Sequence, residues 1–230
     1  MKSLVLDLLP RPLAAAFRAY RTLRRSQAAD RRLRRDHAVE LTPRQIRDLR
    51  VLPGRAELLA LLPRGGVVAE VGVAFGEFSR QIVDACAPRT LYLVDFWDPA
   101  DPRYGPPALE ATRERMREEI DAGTVQLVRG LSWDGLASLP EASLDWIYLD
   151  AAHDFESVKR DLDAALPRLR SGGIIAGHDY TRWSSQGIHR FGVVEAVNAF
   201  CAREGWELLY LTNESDRHIS FAIRKLPADP

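Results

Sequence analysis

From residue 67 onward, short apolar runs rich in β-branched and aromatic residues alternate with segments whose apolar positions recur every three or four residues. The runs VVAEVG (67–72), TLYLVD (90–95), VQLVRG (125–130), LDWIYLD (144–150) and GIIAGHD (173–179) read as strands. Helical patterns fill the gaps at Glu77–Ala87, Pro107–Ala122, Phe155–Arg170 and Val193–Glu204. Such alternation builds right-handed βαβ units and hence a mostly parallel sheet. WELLYL (206–211) and ISFAIRK (219–225) close the chain as a hairpin. The expected fold is therefore α/β, a doubly wound, mostly parallel, seven-stranded Rossmann-like sheet with a C-terminal hairpin.

Upstream the pattern changes. Leu13, Phe17, Tyr20, Leu23 and Ala28 recur at helical spacing from Leu13 to Leu33, with arginines on the other faces. A second helix is expected from Pro43 to Leu62, ended by Pro63 and the turn Arg64-Gly65-Gly66. Charge supports this division. The whole chain balances at 32 basic and 32 acidic residues, yet residues 1–60 carry 14 Lys/Arg against 6 Asp/Glu, so the remainder is acidic by the same margin. We read residues 1–60 as a basic helical extension and 61–230 as the functional domain. The extension is expected to pack on the body or on a second copy of the chain; membrane-surface and nucleic-acid binding are the alternatives, and no aromatic interleaving supports the latter.

Two cysteines, Cys86 and Cys201, form neither a disulfide framework nor a CxxC metal pair, which makes a reducing cytoplasm the default expectation. The opening MKSLVLDLLP breaks its apolar run at Asp7, unlike a secretory signal, and no stretch approaches the ~20 apolar residues of a membrane span.

Ligands of open α/β sheets bind beyond the carboxyl ends of the strands. The first strand there ends in a G-x-x-x-G turn, Gly72 to Gly76, with Glu70 before it and Glu77 after it. The dinucleotide fingerprint G-x-G-x-x-G is absent, and carboxylates on both sides of the turn would repel a pyrophosphate. A cationic ligand suits it better. Asp95 ends the next strand, where an acid accepts hydrogen bonds from ribose hydroxyls.

VVAEVGVAFGEFSRQIV, the acid of LYLVDFWD, VQLVRGLSWDGLASL, DWIYLDAAHDFESVKRDLDAALPRLRSGGIIAGHDY and GVVEAVNAF together resemble the successive motifs of class I S-adenosylmethionine-dependent methyltransferases. Within that class the sequence is most similar to small-molecule O-methyltransferases of the catechol and macrocin/mycinose type, over residues 55–225. The resemblance implies that S-adenosylmethionine lies with its methionine moiety against Glu70, Gly72 and Gly76, near Ser79, and its ribose on Asp95. Ser132 and Trp133 would border the adenine, although Trp133 could equally be a core residue.

The same resemblance implies that the strands ending at Asp150 and at His178-Asp179 are neighbours, their acids roughly one strand spacing (~4.8 Å) apart. Asp150, His178 and Asp179 are then candidate ligands for Mg²⁺, or for Mn²⁺ given the histidine at 178, a position where related enzymes carry an acid. His153 matches the catalytic base of the sugar enzymes, with Asp154 left to cap the following helix. Asp150 would share in the chemistry by orienting the acceptor. His37, His189 and His218 have no comparable setting and read as surface or loop residues. The expected function is O-methylation of a small-molecule hydroxyl; a metal-independent N- or carboxyl-methyltransferase and a non-catalytic binding protein are the alternatives. The segment TRWSSQGIHRFG (181–192) is a candidate lid or substrate wall.

Overall fold

A computed structural model describes residues 10–214 and 218–227. Eight strands form one sheet: β1 (Arg50–Leu52), β2 (Val67–Val71), β3 (Thr90–Asp95), β4 (Val125–Arg129), β5 (Leu144–Leu149), β6 (Leu169–Gly177), β7 (Trp206–Thr212) and β8 (Phe221–Lys225). Their order is β1-β7-β8-β6-β5-β2-β3-β4, and only β8 runs antiparallel to its neighbours, β6 and β7. The expected Rossmann-like sheet with its closing hairpin is present, with one strand more than the sequence suggested. The strand order reverses between β2 and β5, which places the crevice between those strands' carboxyl ends.

The helices are α1 (Arg11–Asp36), α2 (Arg55–Leu61), α3 (Glu77–Cys86), α4 (Pro106–Arg115), α5 (Arg117–Asp121), α6 (Ser132–Ser138), α7 (Phe155–Ala165) and α8 (Val193–Glu204). All six residues of β5 are buried, as expected of a central strand covered on both faces. One face packs on Leu136 of α6, Leu162 of α7 and Val197 and Phe200 of α8. The other packs on Leu58 and Leu59 of α2, Ile82 of α3 and Ala108 of α4.

Several boundaries differ from expectation for local reasons. The helix anticipated over Pro43–Leu62 is three elements: a 3-10 turn at Pro43–Ile46, the edge strand β1, and α2. Pro53-Gly54 interrupts the helical period, and Arg50–Leu52 instead pairs in parallel with Tyr210–Thr212 of β7. The 3-10 turn is fixed by a capping box between Thr42 and Gln45. α7 stops at Ala165 rather than Arg170 because Pro167 has no N–H to continue it, so β6 begins earlier, at Leu169. The helix expected over Pro107–Ala122 breaks at the fully buried Met116. Helix α6 was not anticipated.

The long α1 docks differently from its apolar pattern. Leu13, Phe17 and Tyr20 remain exposed, while Ala14, Ser26 and Leu33 are the buried positions. Its attachment is largely polar: Arg190, whose side chain is fully buried, donates to Asp30 of α1 at 2.7 Å and to Glu195 of α8 at 2.6 Å, and its backbone N–H donates to the Ser26 hydroxyl. Cys86 and Cys201 are buried in α3 and α8. Among the described residues, no helix is long and apolar enough to cross a membrane. The opening segment compared above with a secretory signal lies outside the described residues, save Pro10.

Candidate active site

A cavity of about 800 Å³ opens at the carboxyl ends of β2, β3 and β5. Glu70, Gly72, Asp95, Ser132, Trp133, Asp150 and His153 all line it, so most of the residues singled out in the sequence converge on one space. Gly76 and Ser79 stand behind its wall.

The wall begins where β2 ends. Gly72 has φ +88°, and a Cβ there would run into the carbonyl oxygen of Asp150 on the neighbouring strand, so only glycine permits this approach. Gly76 is also left-handed, at φ +77°, and starts α3. Asp95 ties the turn down: one carboxylate oxygen accepts from the N–H groups of Val73 and Ala74 at 2.7 and 2.9 Å, and the other from Trp97 N–H at 2.9 Å. The Trp97 indole in turn donates to the Ala74 carbonyl. The loop is thus held by an acid that still has lone pairs to offer a ligand.

Glu70 is 1% exposed and accepts a 2.5 Å hydrogen bond from Ser79. Burial pushes its carboxyl up to about 8, against the opposing pull of the Ser79 hydroxyl. Ser79 is itself fully buried, so it supports Glu70 rather than facing the cavity. Across the cavity Trp133 is half-buried at the start of α6, with the Arg160 guanidinium 5.2 Å from its ring centroid, and not a core residue. Near Ser132, the buried Asp161 carboxyl is pushed up to about 6, chiefly by desolvation.

At the mouth stand Asp150, His153 and Asp179, whose ligand atoms all lie within 4.8 Å of one another. His153 Nε2 is 2.5 Å from Asp179 Oδ2 and 3.7 Å from Asp150 Oδ1. Burial alone would lower the imidazole's affinity for a proton, but the two carboxylates outweigh it and raise His153 to about 9. Burial likewise favours the neutral acid at Asp179, and the His153 hydrogen bond overcomes it, leaving Asp179 below the ordinary range. Asp154, as expected, caps α7 by accepting from Ser157 N–H.

His178 is not part of this group. Its Nδ1 lies 3.0 Å from the Ser220 hydroxyl, which also meets the buried Tyr148 hydroxyl at 3.0 Å. The physical reason is that hydrogen bond: Ser220, the residue just before β8, engages the His178 ring in place of the carboxylates. Asp179, at φ +59°, is turned back toward His153. The candidate donor set is therefore Asp150, His153 and Asp179.

His218 corrects the sequence reading. Instead of lying idle on the surface, it bonds through Nδ1 to the other oxygen of Asp179. Nothing local in ESDRHISF signals this contact, since it depends on the pairing of β8 with β6. His37 likewise stacks on Phe155 with ring centroids 4.0 Å apart. Arg55 was also missed, hidden by the expectation of one long helix; it lines the cavity near Glu70. Phe191 stacks on His153 at 4.7 Å, and Gly192 N–H donates to the His153 carbonyl at 2.7 Å, so segment 181–192 borders the mouth.

Residues 69–180 match the methyltransferase-domain family. No curated protein matches the sequence. Among solved structures, the chain is similar to the pyocyanin biosynthetic protein PhzM, at 18% identity over 74% of this chain and 53% of that one, with a TM-score of 0.55. It thus spans about half the length of that protein. Fibrillarin from Aeropyrum pernix, with natively bound S-adenosyl-L-methionine, matches at 19% identity over 74% and 73% of the two chains with a TM-score of 0.53. SMU.1697c from Streptococcus mutans, in complex with S-adenosylhomocysteine, matches at 16% identity over 75% and 96% with a TM-score of 0.53. The fold is that of the class I, S-adenosylmethionine-dependent methyltransferases. The family match spans the strands that form the cavity and supports a methyltransferase enzyme.

Proposed function

We propose that this methyltransferase uses S-adenosylmethionine to methylate a hydroxyl of a small molecule of sugar or natural-product type, with a divalent cation assisting at the mouth of the cavity. The observation that carries the reading is the meeting of two carboxylates and an imidazole, Asp150, Asp179 and His153, beside a space of about 800 Å³.

The residues fit the cofactor. Glu70 and the close backbone approach at Gly72 suit the cationic methionine end, Asp95 keeps lone pairs for ribose hydroxyls, and Trp133 offers the adenine a stacking face. When bound, the cofactor supplies an electrophilic methyl on a sulfonium. The two carboxylates also fit a cation: Asp150 and Asp179 would hold Mg²⁺ or Mn²⁺ through oxygen, leaving His153 Nε2 free to take a proton, and such an ion eases deprotonation of a hydroxyl beside it.

The chain's own residues do the rest. Asp150 and Asp179 orient the acceptor hydroxyl, and His153 Nε2 takes its proton as the oxygen attacks. The resulting imidazolium is held between the same two carboxylates. Phe191, stacked on His153, excludes water from that face of the ring.

A second reading rests on one specific observation. His153 and His218 both pair with Asp179 already, so the carboxylate is neutralised without a cation, as a metal-independent N- or carboxyl-methyltransferase would have it. Methyl transfer to a panel of hydroxylated and amine acceptors, with and without chelator, tests both. Loss of O-methylation on chelation and recovery with Mn²⁺ or Mg²⁺ supports the first; chelator-insensitive transfer to nitrogen or carboxylate supports the second.

A further inference from the structure

The cavity wall carries four carboxylates, those of Glu70, Glu77, Asp95 and Asp150. Opposed to them among the described residues, besides His153 at the mouth, is a single guanidinium, that of Arg55. S-Adenosylmethionine carries two positive groups and one negative one, the α-carboxylate of its amino-acid end. An anion entering a space so lined is repelled everywhere except next to a fixed cation.

Arg55 has the setting of such a cation. It is the first residue of α2, just after the Pro53-Gly54 break, and its side chain is only 15% exposed. Its guanidinium lies 5.0 Å from the centroid of the Phe78 ring, which fixes one face of the group. Among the described residues its acidic neighbour is Glu214, with 3.9 Å between Nε and the carboxylate oxygen, too long for a hydrogen bond. A guanidinium offers five donors in a planar fork, a shape matched to a carboxylate. A ligand carboxylate would engage that fork through charge-assisted hydrogen bonds.

The placement relative to Glu70 makes the assignment specific. Both residues line the same cavity, Phe78 lies beside the Ser79 that holds Glu70, and Arg55 is close enough to Glu70 to act on its titration. An amino acid end presents ammonium and carboxylate on one carbon, so it needs an acid and a base side by side. Building on the proposed use of S-adenosylmethionine, we propose that Arg55 is the anchor for the α-carboxylate of the cofactor, paired with Glu70 for its ammonium, so that the cavity selects the zwitterionic amino-acid end.

The test is calorimetric and needs no acceptor. Wild type and Arg55→Met are titrated with S-adenosylhomocysteine and with its decarboxylated analogue, which keeps the ammonium and loses only the carboxylate. The expected result is a 10- to 100-fold loss of affinity for S-adenosylhomocysteine in Arg55→Met, with less than a threefold change for the analogue. Arg55→Lys, which keeps the charge without the fork, should fall between the two. Equal weakening of both ligands would overturn the proposal by making Arg55 a structural residue, as would unchanged binding of S-adenosylhomocysteine. If wild type binds neither compound, the cofactor assignment itself fails, a result separable from any behaviour of the variants. Retained analogue binding also reports that each variant is folded.

Discussion

Binding of a sulfonium cofactor should release a proton from Glu70, and the affinity should therefore depend on pH in a defined direction. In the free protein Glu70 is buried and pushed up to about 8, so near neutrality it is mostly protonated. An ammonium beside it favours the ionised form, so binding is coupled to deprotonation. Below pH 8 each unit costs roughly 1.4 kcal/mol, or a factor of about ten, because the carboxyl must first ionise. Between pH 8 and pH 6 the dissociation constant for S-adenosylhomocysteine should accordingly rise by about two orders of magnitude. Calorimetry in two buffers of different ionisation enthalpy should show close to one proton released at pH 7. Glu70→Gln, which still accepts from Ser79, should bind about 10- to 100-fold more weakly at pH 8 and lose the pH slope. The same group acts on the unliganded fold. Its folded value lies above the ordinary 4.5, so its contribution to stability is fully present below pH 4.5 and is lost as pH rises toward 8; Glu70→Gln should flatten that decline. A pH-independent dissociation constant with no proton release, or an unchanged slope in Glu70→Gln, would refute the reasoning.

Other outcomes follow from the site and its supports. His153→Ala should lower turnover by ~10²- to 10⁴-fold with little change in cofactor affinity, measured by steady-state kinetics and calorimetry; in the absence of a cation, the wild-type rate should rise with pH toward about 9, where His153 loses its proton. Asp95→Ala removes an acceptor of three backbone N–H groups, so denaturant titration of the unliganded protein should show a loss of about 2–3 kcal/mol, and ligand binding should weaken as well. Arg190→Met leaves Asp30 and Glu195 without their shared guanidinium and should cost about 3–5 kcal/mol in the same measurement. Deleting residues 1–36 removes the Asp30 contact and should raise KM for the acceptor through the loosened Phe191 segment, while calorimetry finds cofactor affinity unchanged.

Much of the architecture is local in origin and could be read along the chain. The apolar runs at 67–72 and 144–150 and the helical periods at 155–165 and 193–204 each bury one face, or both, irrespective of what lies far away in sequence. Glu70, the Gly72–Gly76 turn and Asp95 were legible for the same reason: strand ends with glycine and an acid mark where an open α/β sheet leaves its crevice. The sequence also placed His153 three residues past Asp150. What it could not supply was which atoms meet. Whether His178 or Asp179 faces Asp150 depends on the register Leu149 to Gly177 and on the left-handed turn at Asp179. His218 reaches Asp179 only because β8 inserts antiparallel beside β6, a pairing across more than forty residues. Arg190 finds Asp30 from 160 positions away, and Arg55 enters the cavity only because Pro53-Gly54 ends an edge strand that the helical period concealed. Periodicity reports which face of an element is buried; the partner that buries it is chosen by sheet order and register, and at this site those choices decide which carboxylates share a proton.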